Sequence, residues 1–156
     1  MSLAVDVLDL AKEKGVMIAT AESCTGGMVA GALTDVPGSS AVVERGFVTY
    51  TNRAKVEMLG VAEATLAAHG AVSEAVAAEM AIGALARAPV GLAVSITGIA
   101  GPGGSEFKPE GLVCFGVADA AGVVVETVEF GALGRAHVRA AARDHALRLL
   151  LGRLSG

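Results

Sequence analysis

Val16-Met17-Ile18-Ala19-Thr20-Ala21-Glu22-Ser23-Cys24-Thr25-Gly26-Gly27 is the stretch that decides how the chain reads. Residues 16–20 form a short apolar run with the length and composition of a buried strand. A small, glycine-rich turn follows, and a helical pattern begins at Met28. Strand, loop, helix is the resulting order. The first turn of a helix offers unpaired backbone N–H groups at the positive end of its dipole. The hydroxyl of Ser23 or the thiol of Cys24 would lie beside such an anion or oxyanion site. The segment therefore reads as a phosphate cradle or as the seat of a nucleophile. The alternative is a tight turn in which Ser23 or Thr25 only caps the helix.

Working outward, residues 3–14 have helical spacing, stopped by Gly15. Residues 27–35 read as a helix ended by Val36-Pro37-Gly38, and residues 42–50 as a strand with Gly46 as a bulge or close backbone approach. Asn52 is an N-cap for a short helix through Leu59, and a second short helix covers 62–69. Ser73 caps a longer helix that ends at Arg87, before Pro89. A buried strand at 92–96, a loop at 97–110, strands at 111–118 and 123–130 and a last helix at 135–151 complete the chain. Asp119-Ala120-Ala121-Gly122 joins the last two strands as a hairpin. Helices interleaved with strands, plus one hairpin, predict a single α/β domain over 1–156, layered α/β/α around a mixed sheet.

Composition narrows the functional classes. Of 156 residues, 53% are apolar, and the mean hydropathy is +0.61. The longest uncharged stretch, 88–105, carries Pro89, Pro102 and five glycines, so it reads as a strand running into a loop rather than a membrane span. Charged residues begin almost at once, at Asp6 and Asp9, which argues against a signal peptide and for a cytoplasmic protein. A net charge of −4, no tryptophan and 3% aromatic residues argue against nucleic-acid binding. Cys24 and Cys114 lack metal or redox spacing and read as free thiols. His69, His137 and His145 show no ligand spacing. The apolar content of so small a chain points to buried contacts in a homo-oligomer.

Three further segments can carry chemistry. With Asn52 as N-cap, Lys55 falls at the third helical position, where the dipole lowers the pKa of a lysine and favours its neutral, basic form. Tyr50, the sole tyrosine, ends the strand just before it. The plain alternative is a surface lysine and a tyrosine packed at a sheet edge. Thr97-Gly98-Ile99-Ala100-Gly101-Pro102-Gly103-Gly104-Ser105 is a loop whose glycines let backbone N–H groups approach a ligand, although it fits neither a Walker nor a Rossmann pattern. Arg135 and Arg139 are four residues apart on one helix face and can clamp a phosphate; Arg143 continues the stripe. A solvated basic face is the alternative there.

The segments Ala21-Glu22-Ser23-Cys24-Thr25-Gly26-Gly27, Gly46-Phe47-Val48-Thr49-Tyr50 with Asn52 and Lys55, Gly70-Ala71-Val72-Ser73-Glu74 and Thr97-Gly98-Ile99-Ala100-Gly101-Pro102 together resemble the CinA C-terminal domain family. The resemblance runs through nearly the whole chain. It implies hydrolysis of the carboxamide of nicotinamide mononucleotide to nicotinic acid mononucleotide and ammonia, without cofactor or metal. It points to Ser23 as nucleophile, ahead of its neighbour Cys24, and to Lys55 with Tyr50 as base and relay. Thr25, Gly26 and Gly27 would surround the oxyanion, and Thr97, Gly98, Gly101, Arg135 and Arg139 would hold the rest of the nucleotide. The family includes longer proteins with an additional N-terminal domain, so this chain resembles a stand-alone form. A non-catalytic nucleotide-sensing or partner-binding module, tied to competence or DNA damage, is the alternative. The chain departs from the family pattern at Glu110, where valine is common.

Overall fold

The computed structural model describes residues 2–156. In chain order the elements are α1 (Leu3–Lys14), β1 (Ile18–Glu22), α2 (Met28–Thr34), a 3-10 turn (Ser39–Ala41), β2 (Val43–Val48), α3 (Asn52–Leu59), α4 (Glu63–His69), α5 (Glu74–Arg87), β3 (Leu92–Gly98), β4 (Leu112–Asp119), β5 (Gly122–Glu129) and α6 (Arg135–Ser155). The sheet runs β2-β1-β3-β4-β5. Strands β2, β1 and β3 are parallel, while β4 and β5 are antiparallel additions. Among the described residues no helix is long and apolar enough to cross a membrane.

Two helical layers cover the sheet, and strand alternation assigns each side chain to one of them. Helices α1, α2 and α6 close one face over Ile18, Val94, Ile96, Phe115 and Val117. Helices α3 and α5 close the other over Ala21 and Ala93, with Leu59 and Met80 fully buried. Each such leucine or methionine contributes about 2 kcal/mol relative to exposure. The two helical layers change sides around β1. The link from β1 to β2 passes through α2 on the first face. The link from β2 to β3 passes through α3, α4 and α5 on the second. A crevice at the carboxyl ends of β1 and β3 is where open α/β sheets accept ligands.

Two glycines allow close approaches. Any Cβ on Gly83 of α5 would overlap the Leu59 carbonyl at the end of α3, so glycine is what lets α3 lie down on α5. A Cβ on Gly46 would sit 2.6 Å from Thr20 Oγ1, which makes Gly46 a close approach between β2 and β1. The register irregularity of that pair lies elsewhere, at Ile18/Ala19.

Several boundaries differ from the sequence reading. Strand β1 begins two residues late and reaches Glu22, because its ladder with β3 continues to Ile96. The cap of α3 is Thr51, not Asn52. Thr51 is extended (φ −91°, ψ 161°) and its hydroxyl accepts from Ala54 N at 3.1 Å. Lys55 is consequently the fourth helical residue rather than the third. Helix α6 runs on to Ser155, since Leu150 and Leu154 keep burying its apolar face.

Candidate active site

Beyond Glu22 the chain leaves the strand but keeps alternating for two residues. Ser23 N still donates to Ile96 O at 2.9 Å, continuing the β1–β3 ladder. Glu22 points to the α2 side, Ser23 to the α3 side, and Cys24 back into the core with Val29. The alternation therefore turns the two adjacent nucleophile candidates in opposite directions, although both residues border the cavity described below.

Glu22 is fully buried, and its carboxylate is held by three donors. Oε1 accepts from Thr25 Oγ1 at 2.7 Å and Val29 N at 2.9 Å, and Oε2 accepts from Ala30 N at 3.0 Å. Two of the N–H groups of the first turn of α2, which the sequence reading offered to a ligand, are thus taken by the chain's own carboxylate. Gly26 N donates to Ser23 O at 3.0 Å and is also in use. Thr25, Gly26 and Gly27 do not line the cavity described below. They make a self-contained turn, with Gly26 and Gly27 at φ of 56° and 106°.

On the other side of β1, Lys55 reaches in from α3. Its side chain is 2% exposed, yet no carboxylate lies within ion-pair distance among the described residues. Nζ donates to Ser23 Oγ at 3.1 Å and to Tyr50 O at 3.4 Å. Burial lowers the lysine pKa; Cys24 and Glu106 pull it back part of the way. The cause is desolvation of the ammonium rather than the helix dipole invoked from the sequence. Ser23 Oγ in turn donates to Tyr50 O at 3.5 Å. Burial pushes the Cys24 thiol up to about 11, so it carries almost no thiolate at neutral pH.

Ser23 and Lys55 lie against a cavity of about 320 Å³ that is also lined by Tyr50, Thr97, Gly98, Gly101 and Arg135. Tyr50 contributes two different things. Its carbonyl meets Lys55 and Ser23, whereas its half-exposed hydroxyl accepts from Arg135 Nη2 and makes no hydrogen bond to either of them. Arg135 Nη1 also donates to Gly101 O at 2.7 Å. The Thr97 hydroxyl donates to Ala71 O at 2.9 Å and so ties β3 to the segment before α5.

The basic stripe on α6 is divided. Arg135 lines the cavity, but Arg139 lies beneath the turn, with Nε donating to Cys24 O at 2.9 Å and Nη2 to Thr25 O at 3.3 Å. Arg143 pairs with Asp144 at 2.9 Å, away from the site. Glu110 bridges Gly103 N (2.8 Å) and Gly134 N (3.1 Å), latching the glycine loop to the start of α6 next to Arg135. Sequence reading gave no role to Glu22, Glu106 or Glu110. Glu22 was legible from parity with Ile18 and Thr20; the two loop glutamates carried no such signal. No group of three or more His, Cys, Asp or Glu able to hold a metal ion occurs among the described residues.

A family model described as the CinA C-terminal domain matches residues 1–154. Nicotinamide-nucleotide amidohydrolase PncC of Escherichia coli K12 is 54% identical over 151 residues, covering 96% of this chain and 92% of that protein. A CinA-like protein of Chloroherpeton thalassium is 58% identical over 122 residues, 78% of this chain but only 29% of that much longer protein. Among solved structures, competence/damage inducible protein CihA from Agrobacterium tumefaciens superposes with a TM-score of 0.94 at 49% identity, over 99% of this chain and 94% of that one. Competence damage-inducible protein A (ComA) from Klebsiella pneumoniae gives 0.95 at 36% identity, over 98% and 95%.

Proposed function

The chain belongs to the CinA C-terminal domain family, and from that premise we propose that it is an amidohydrolase that converts nicotinamide mononucleotide to nicotinic acid mononucleotide and ammonia. The observation that carries the chemistry is Lys55 Nζ, buried without a counter-ion, 3.1 Å from Ser23 Oγ at a cavity wall.

In its neutral form Lys55 takes the Ser23 proton as Oγ attacks the carboxamide carbon. The resulting lysine ammonium then protonates the departing nitrogen, which leaves as ammonia. Water, deprotonated by the same lysine, attacks the Ser23 ester and releases the carboxylate product, returning Oγ–H to the enzyme. Lys55 is suited to both roles because burial weakens its hold on the proton. Tyr50 serves through its carbonyl, which orients Nζ and Oγ, and its hydroxyl aims Arg135. Arg135 takes the 5′-phosphate, with the backbone of Thr97, Gly98 and Gly101 against the rest of the nucleotide. Thr25, Gly26, Gly27 and Arg139 act indirectly, by fixing the turn that presents Ser23. The raised thiol pKa of Cys24 favours Ser23 as the attacking group.

We extend the proposal to assembly: exposed Val48 and Met58 would be covered in a homo-oligomer, which sedimentation of the purified protein reads directly. The decisive assay for the activity is ammonia release from nicotinamide mononucleotide, with and without EDTA, with nicotinic acid mononucleotide quantified alongside. Stoichiometric appearance of both products is expected. Binding without ammonia would replace the amidase by the sensing module.

A further inference from the structure

Among the described residues the amine, guanidinium and carboxylate side chains that line the cavity are Lys55, Arg135 and Glu106. Glu106 is the sole carboxylate. It lies on the wall made by the α4–α5 connection, where an oxygen accepts from Ala71 N at 3.4 Å.

A tight turn places it there. Ser105 N donates to Lys108 O at 2.9 Å and Lys108 N to Ser105 O at 2.8 Å, so Glu106 and Phe107 form a two-residue hairpin turn. Both have left-handed φ, 53° and 62°. Turns of this kind favour Asn-Gly, and a glutamate followed by a phenylalanine is strained there. Core packing offers no compensation, since Phe107 is fully exposed. The turn is held instead by Lys108, whose Nζ donates to His69 O at 2.9 Å and to Val72 O. Strain kept without a packing benefit points to a use for the side chains it displays.

The nucleotide proposed above carries two charges of opposite sign: an anionic phosphate and a cationic pyridinium ring bearing the amide. Arg135 matches the first and disfavours the second. We propose that Glu106 is a specificity-determining residue whose carboxylate faces the cationic ring and selects pyridinium amides over amides on a neutral ring. This inference rests on the amidase reading for its substrate. Glu106 also acts on Lys55 through space, opposing the effect of burial on that lysine, so its removal has a second, separable consequence on pH dependence.

The test uses nicotinamide mononucleotide and its 1,4-dihydro form, which keep the amide and the phosphate and differ in ring charge. Both are titrated calorimetrically into full-length Ser23→Ala and into the same protein carrying Glu106→Gln. An exposed ion pair predicts about a fivefold loss of affinity for the cationic ligand in the double variant. Affinity for the neutral ligand should be unchanged, and Glu106→Asp should recover part of the preference. Equal weakening of both ligands, no change in either, or failure of both to bind overturns the proposal. Ammonia release by the wild-type protein is read separately. Ring-charge discrimination without ammonia leaves the Glu106 subsite standing and the amidase reading fallen; ammonia without discrimination does the reverse.

Discussion

Two buried ionisable side chains flank the carboxyl end of β1, and they are treated in opposite ways. On the α2 side, Glu22 has its carboxylate met by two backbone N–H groups and a threonine hydroxyl. On the α3 side, Lys55 has only a serine hydroxyl and a carbonyl. A buried charge that is fully hydrogen-bonded is part of the scaffold, while one left without a counter-ion gives up its charge readily. On the proposed mechanism, the difference gives scaffold to one face of the sheet and chemistry to the other. It also explains why the helix terminus that looked like a ligand site from sequence is closed to one: the chain fills it with its own anion.

Removing the groups proposed to react should have the largest effect. Ser23→Ala and Lys55→Met are each expected to lower kcat for ammonia release by about 10³-fold or more, within the usual range for a lost nucleophile or general base. Thermal unfolding should leave Lys55→Met as stable as the wild type or more so, because an apolar side chain replaces an uncompensated buried amine. Stability should also respond to pH. With the folded-state pKa of Lys55 depressed, the unfolded chain binds the extra proton between that lowered value and the ordinary lysine value of 10.5. Wild-type stability therefore rises with pH in that window, and Lys55→Met removes the rise.

Glu22→Gln tests the other half. It replaces one of the two acceptor oxygens by an amide donor, so that one backbone N–H, of Val29 or Ala30, faces a donor, and about 2–3 kcal/mol of stability should be lost. For a chain of this length that lowers Tm by roughly 5–10 °C. Normal stability in this variant would show that the two buried groups are not distinguished as argued. Tyr50→Phe keeps the carbonyl and removes only the hydroxyl that meets Arg135. A fall in kcat/KM of less than about tenfold is expected, carried mainly by KM; a loss of 10² or more in kcat would restore the tyrosine as a proton relay. Smallest of all should be Cys24→Ser, whose thiol is buried and protonated. Its turnover should stay within about threefold of wild type, and iodoacetamide should modify Cys24 far more slowly than a free thiol.

How much of this was legible in the sequence depended on whether a feature is local. Element order, the mixed sheet and the hairpin followed from periodicity and turn residues. The strand–turn–helix pattern placed Ser23 and Cys24 together at the turn, and only the family resemblance chose Ser23 between them. Its partner was harder to place. Lys55 was singled out for its position in a helix turn, yet what tunes it is burial under β1, a tertiary effect that helix position does not encode. The cap was misplaced by one residue because Thr51 and Asn52 are both good caps, and only the chain's path out of β2 selects Thr51. The spacing of Arg135, Arg139 and Arg143 suggested one shared face. The structure gives them three separate surroundings, because the turn after β1 reaches Arg139 before any ligand can. Glu106 and Glu110 belong to a loop whose fold is set by contacts with the α4–α5 segment and the start of α6, both distant in sequence.

The pH dependence of kcat/KM for ammonia release tests most directly whether Lys55 acts as the base because burial leaves its charge unsupported. A limb that rises with pH is expected, with its midpoint below 10.5, and it should be absent from the residual activity of Lys55→Met. A flat profile in the wild type, or the same rising limb surviving in Lys55→Met, would contradict it.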